Sequence, residues 1–172
     1  MKSIGGYHQF DDSLSSWPQG SMWESEGQRL YELIREHKPE KIIEIGAHYG
    51  CSTTWIATAI KHNKKGRLYS YDVNPEAWSM LPKSLKKYVE CIVFDCWNLK
   101  AECDLLFEDG AHSSRFTATM LQNIKAKIVV VHDYFHPSCQ IEVKDEFIEV
   151  LGEPDETFIK SPADCGLAIK YL

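Results

Sequence analysis

The stretch Ile43–Thr53, IEIGAHYGCST, decides how the rest of this 172-residue chain is read. An apolar run ends at Gly46, Gly50 follows four residues later, and beyond it Trp55, Ile56, Ala59 and Ile60 fall on one helix face. The pattern predicts a strand, a tight turn and a helix from Ser52 to about His62. Gly46 permits a turn with close backbone approach, and Gly50 lets the helix N-terminus come near a ligand. A dinucleotide-binding loop would read GxGxxG; Ala47 and His48 follow Gly46 here, so that fingerprint fails. Glu44, inside the apolar run, requires a polar partner: water, a backbone amide or a ligand ammonium.

Outward from this loop, strand-like and helix-like segments alternate. Toward the N-terminus, SMWE at Ser21 offers a capping box, and Leu30, Leu33 and Ile34 mark a helix that ends before Pro39. Residues 1–20, with Gly5, Gly6, Pro18 and Gly20, read as an irregular arm ahead of a single domain over 21–172. Toward the C-terminus, RLYSYDV, YVECIVF, CDLLFEDG and KIVVVHDY read as strands. Asn74 and Pro75 stand where a helix would begin, Phe116, Met120, Leu121 and Ile124 mark another, and residues 140–151 a further one. TFIK and GLAIKYL close the chain as two strands. Near-continuous apolar strands separated by helices predict an α/β fold with a mostly parallel sheet covered on both faces.

In such a sheet, ligands sit at the C-terminal ends of the strands near the point where strand order reverses. Those ends carry the glycine loop, Asp72, Asp95, Glu108 with Asp109, and His132 with Asp133. Any one of these is accounted for as a turn former or helix cap. Five polar strand ends together point to a ligand rim.

Composition removes several functions. A formal charge of -6 provides no broad electropositive surface for nucleic acid or anionic lipid. No apolar run approaches the roughly 20 residues that span a bilayer, and MKSIGGYHQFDDS carries acids where a secretory signal keeps a hydrophobic segment. A cytoplasmic protein with a small-molecule partner is expected. Six cysteines lie scattered without a CxxC pair, so reduced, mostly buried thiols are expected, Cys91 among them.

Glu44, Gly46 and Gly50 form ExGxxxG, and here the chain resembles the class I S-adenosylmethionine-dependent methyltransferases. The resemblance implies a three-layer αβα Rossmann-like methyltransferase fold, a minimal one, with a C-terminal antiparallel hairpin. It implies a cofactor site made by Glu44, Gly46, Ala47, Gly50 and Ser52 against the amino-acid end, with Asp72 on the ribose hydroxyls. Asp95 then lies near the adenine amino group with Cys96 and Trp97 as ring neighbours, although Trp97 reads equally as core. His48 and Tyr49 are expected to close over the methionine end.

DLLFEDGAHSSRF and IVVVHDYF are similar to segments of a subgroup that includes small-molecule and sugar O-methyltransferases. In its metal-dependent members the acids matching Asp109 and Asp133 ligate a divalent cation, commonly magnesium, and the histidine matching His112 is the candidate base. Chemistry gives these roles independent sense: an unactivated hydroxyl is a poor nucleophile, and a hard cation on carboxylates lowers its pKa while an imidazole takes the proton. The resemblance departs where a third ligand is usual. The neighbours of Asp133 are His132 and Tyr134, and neutral imidazole is a poor magnesium ligand but a good one for manganese, iron or zinc. His132 reads either as a ligand or as a hydrogen-bonded core histidine. Glu108 substitutes only if its side chain turns to the rim.

Only eight residues separate Asp95 from Asp104, so the helix between those strands is reduced to a turn or missing. The acceptor pocket is left to the arm, to the loop from Tyr134 to Pro137, or to a partner subunit. An apolar GLAIKYL edge would suit a homodimer. Three rivals stand beside this reading: a mononuclear iron oxygenase using His132, Asp133, His136 and His112, an NAD(P)-dependent reductase using Asp72, and an inactive cofactor-binding protein.

Overall fold

The computed structural model describes residues 22–111, 115–135, 140–160 and 165–172, without the side chains of 140–142. Its elements run α1 (Glu24–His37), β1 (Lys41–Ile45), α2 (Cys51–Asn63), β2 (Arg67–Asp72), β3 (Val89–Val93), β4 (Ala101–Glu102), β5 (Leu105–Glu108), α3 (Phe116–Asn123), β6 (Ile124–Lys125), β7 (Ile128–His132), α4 (Gln140–Leu151), β8 (Glu156–Phe158) and β9 (Leu167–Tyr171). Seven strands form one sheet in the order β3-β2-β1-β5-β7-β9-β8. The first five of that order pair in parallel, and β9 runs antiparallel to both β7 and β8. The order reverses between β1 and β5, which puts the glycine loop and Asp109 on either side of the switch point.

The alternation of side chains along each strand sorts the core into two layers. Ile42, Leu68, Leu105, Phe107, Ile128 and Val130 pack on one face with Leu30, Leu33 and Ile34 of α1 and Trp55, Ile56 and Ile60 of α2. Ile43, Ile45, Leu106, Val129 and Val131 pack on the other with Phe116, Met120 and Leu121 of α3 and Val143 and Phe147 of α4. Each fully buried Leu, Ile or Phe stabilises the fold by roughly 1.5–3 kcal/mol. α1 and α2 approach closely because Gly27 has no side chain: a Cβ there would lie 2.1 Å from the Trp55 indole nitrogen.

Several expectations are corrected. α1 begins at Glu24 with Trp23 as its N-cap, and Glu26 rather than Glu24 reaches back to the Trp23 amide at 3.1 Å. Trp23 has no capping oxygen, so half a capping box is made; Ser21 and the arm over 1–20 lie outside the described residues. No helix follows Asn74. Its side chain does accept the Glu76 amide, but Trp78 adopts φ 66 and Pro82 follows, so residues 75–85 remain a chain of turns. β9 is no edge: it lies between β7 and β8, and the edges are β3 and β8, so the strand proposed for dimer pairing already has both neighbours. Cys91 sits exposed on edge strand β3, while Cys51 and Cys96 are buried. Between β3 and β5 a single 3-10 turn, Cys96–Asn98, and the two-residue β4 stand where a connecting helix would run, as the short spacing predicts. Among the described residues no helix is long and apolar enough to cross a membrane.

Candidate active site

The loop between β1 and α2 is built from the expected glycines. Gly46 (φ 84) and Gly50 (φ 94) occupy the left-handed region that side chains disfavour. At Gly46 a Cβ would fall 2.1 Å from the carbonyl oxygen of Asp109, so this glycine is where the two halves of the sheet touch. Gly50 packs against Trp78, whose Cα would lie 3.2 Å from an added Cβ. Gly50 is the N-cap of α2, so the helix N-terminus lies at this end of the sheet.

Asp72 gathers this loop. One carboxylate oxygen accepts from the Ala47 and His48 amides at 2.9 and 3.0 Å, and the other accepts from Asn74 at 2.8 Å. Each carboxylate oxygen has more than one acceptor direction, so such a group can hold a loop and still receive hydroxyls. His48 and Tyr49 project as exposed side chains with rings 4.1 Å apart.

Glu44 lies beneath the loop, fully buried. Ser52 and Thr53 donate to it at 2.6 and 2.7 Å, and Ser70 donates as well. Trp78 donates in turn to Ser70 at 2.6 Å. The polar partner that Glu44 requires is thus a set of three hydroxyls of its own chain. Burial raises its pKa to about 7, against the lowering effect of those hydroxyls.

Farther along the rim, Asp95 accepts from the Trp97 amide at 3.3 Å and starts the 3-10 turn. Cys96 is buried, and burial pushes its thiol to about 12. Trp97 is 40% exposed, its ring edge-on to Phe116 at 5.0 Å. The indole is therefore neither core nor fully solvated.

Across the switch point, Asp109, His132 and Asp133 bring ligand atoms within 4.8 Å of one another. Strand parity puts Asp109 and His132 on the α1 face. Asp133, which parity would send to the opposite face, comes round because its backbone adopts φ 58. His132 Nδ1 lies 3.1 Å from Asp109 and 3.4 Å from Asp133, and Nε2 lies 3.0 Å from Glu26 of α1. Burial alone would lower the His132 pKa, but Asp109, Asp133 and Glu26 outweigh it and hold it well above the usual histidine range. Cys165 borders the cluster; burial first, then hydrogen bonding to Asp133, pushes its thiol to about 12. Three carboxylates around one imidazole leave net negative charge even when the ring is protonated, and two carboxylates with an imidazole make a donor set that fits a divalent cation.

Glu108 does not join them. It is fully buried on the α3 side, where it accepts from Gly110 at 3.0 Å and Thr117 at 3.0 Å. Tyr134 is 2% exposed and packs edge-on against Phe135 and Phe147, so it belongs to the core rather than to an acceptor pocket. His112, His136 and Pro137 lie outside the described residues. Sequence reasoning missed Glu26, although its place four residues before Leu30 on the apolar stripe of α1 is a signal that it faces inward.

A family profile described as a methyltransferase domain matches residues 43–134, more than half of the chain. The chain belongs to this methyltransferase family. Among solved structures, a Podospora anserina methyltransferase bound to S-adenosylhomocysteine superposes with a TM-score of 0.69 at 17% identity, covering 96% of this chain and 86% of that one. The Streptomyces achromogenes O-methyltransferase TomG, solved with S-adenosylmethionine, gives 0.64 at 22% identity, with 95% and 84% covered. A Bacillus cereus O-methyltransferase with S-adenosylhomocysteine gives 0.66 at 15%, with 94% and 86% covered. Comparison with curated proteins finds no match. The fold is that of the S-adenosylmethionine-dependent methyltransferases, and the protein is a methyltransferase. The reductase reading falls with this match, and the oxygenase reading falls with the sheet, which is parallel α/β rather than a β-helix.

Proposed function

We propose that the protein transfers a methyl group from S-adenosylmethionine to a hydroxyl of a small molecule or sugar, with a divalent cation at the rim. The observation that carries this reading is the meeting of Asp109, His132 and Asp133 directly across the switch point from the Gly46 loop. S-adenosylmethionine brings an electrophilic methyl group on a sulfonium, which an oxygen nucleophile takes in line. A divalent cation, if bound by the carboxylates, would supply Lewis acidity that lowers the pKa of that hydroxyl.

The chain's own residues do the rest. Gly46, Ala47, Gly50 and Ser52 form the seat for the amino-acid end, and Asp72, already holding the loop, takes the ribose hydroxyls. Glu44 acts from below by fixing Ser52 and Thr53 in the first turn of α2. Asp95, Cys96 and Trp97 border the adenine. Asp109 and Asp133 would hold the cation beside the acceptor, and His112 takes the hydroxyl proton. Fixed orientation of nucleophile and methyl donor can contribute about 7–11 kcal/mol in such a site.

Radiolabelled methyl transfer to a panel of phenolic, catecholic and sugar hydroxyls is the test. Incorporation that falls at least about tenfold on adding EDTA and returns with a divalent cation supports both halves of the reading. Transfer to nitrogen acceptors alone would sink the hydroxyl assignment, and undiminished turnover in EDTA would remove the cation.

A further inference from the structure

The buried Glu26 contributes to the rim site from a helix that carries no other part of it. We infer that Glu26 is the positioning residue of that site: it fixes a proton on His132 Nε2, turns Nδ1 toward Asp109 and Asp133 as a ligand, and so suits the site to a transition metal rather than magnesium. The inference rests on the reading above that a divalent cation sits at Asp109 and Asp133.

Among the described residues, two backbone N–H groups and the His132 ring meet the Glu26 carboxylate. The Trp23 amide donates at 3.1 Å, the Gly166 amide donates to the other oxygen, and His132 Nε2 lies 3.0 Å away. A carboxylate surrounded by two backbone N–H groups acts as an acceptor, so the ring nitrogen facing it carries the hydrogen. Nδ1 faces Asp109 and Asp133, and a cation held between those carboxylates would displace the Nδ1 proton to solvent and meet its lone pair while Nε2 keeps its hydrogen on Glu26. A carboxylate behind a histidine in this way fixes both tautomer and ring orientation and raises the basicity of the ligating nitrogen.

The geometry leaves the ring little freedom. Glu26 and His132 are fully buried or nearly so, and Phe107 lies against the imidazole with centroids 6.3 Å apart. Gly166 (φ 77) in turn is pinned by Phe135, which an added Cβ would approach to 2.4 Å. Glu26 is thus held from both ends of the chain. One imidazole among oxygen donors favours zinc, cobalt or iron over magnesium, which binds nitrogen poorly.

The test is calorimetry of the metal-stripped protein with Zn2+, Co2+ and Mg2+, together with 15N NMR of histidine-labelled protein loaded with Zn2+. The expected results are Zn2+ and Co2+ affinities about tenfold or more above that of Mg2+, with a protonated Nε2 and a metal-shifted Nδ1 at His132. Glu26→Gln should weaken Zn2+ binding about 10- to 100-fold and broaden or shift the Nε2 signal. His132→Asp should narrow the preference over Mg2+ while binding is kept. If Glu26→Gln does not fold, the wild-type spectrum and His132→Asp decide. Mg2+ binding as tight as Zn2+, or a His132 with Zn2+ on Nε2, overturns this inference alone. Absence of binding by any of the three cations overturns it together with the cation in the proposed function. S-adenosylmethionine binding, measured separately, tests the cofactor reading independently of both.

Discussion

The two sides of the switch point use carboxylates in opposite ways. Over β1 and β2, Glu44 and Asp72 are surrounded by hydroxyls and backbone amides of their own chain, six donors in close range. Over β5 and β7, Asp109, Asp133 and Glu26 converge on a single imidazole. On the first side the acids stiffen a loop with neutral donors. On the second they concentrate negative charge that one ring only partly offsets. A rim built this way separates shape from charge: one half is a stiffened loop, and the other is a cluster of carboxylates around one imidazole.

The halves meet at Gly46, so the strongest way to break the contrast is to add a methyl group there. Gly46→Ala forces its Cβ into the Asp109 carbonyl at a left-handed φ, and a cost of about 3–5 kcal/mol is expected. Urea unfolding reads the loss, and calorimetry with S-adenosylhomocysteine should show binding lost along with it. Unchanged stability would mean the two halves are not in contact through this glycine.

Glu44 sharpens the contrast through pH. Its folded pKa lies above the unfolded value, so the folded protein holds the proton more tightly than the unfolded chain between about pH 4.5 and 7. Its contribution to stability is fully present below that window and is lost as pH rises through about 7. A rise from 4.5 to about 7 corresponds to an upper bound of roughly 3 kcal/mol. In Glu44→Gln this part of the pH dependence should vanish, which urea midpoints at pH 5 and pH 8 would measure. A variant whose midpoints move with pH as much as those of the wild type would locate the titration elsewhere.

The smallest effect is expected at Asp72. Asp72→Asn keeps the size of the side chain but removes the charge facing the Ala47 and His48 amides. S-adenosylhomocysteine affinity should fall about 10-fold, with the unfolding midpoint moving little. A full loss of folding instead would show that Asp72 serves the loop and not the ligand.

Much of the fold was legible in sequence because its strands are buried on both faces and therefore read as apolar runs, and because Gly46 and Gly50 stand at a turn that needs them. The helix expected after Asn74 was misread for a physical reason. Asn74 and Pro75 do begin a turn, but Pro82 and the strained Trp78 prevent propagation, and Trp78 instead ties the loop to Ser70. At the site, Asp109 and His132 follow from parity along β5 and β7. Asp133 does not, because a left-handed φ is written in no local pattern around it. The partners of buried acids were the least legible of all. That Ser70 and Thr53 serve Glu44, Thr117 serves Glu108, and Glu26 serves His132 are tertiary facts that spacing along the chain leaves open.

The placement of β9 has a consequence for the order of folding. This strand, with Leu167, Ala168 and Ile169 fully buried, fills the slot between β7 and β8, so the sheet stays split until residues near the C-terminus have been synthesised. The amide that secures Glu26 belongs to Gly166, 140 residues away in sequence. Closing so long a separation is slow compared with local pairing. A nascent chain lacking β9 would already carry its glycine loop, while Glu26 would still lack the Gly166 amide that holds it beside His132.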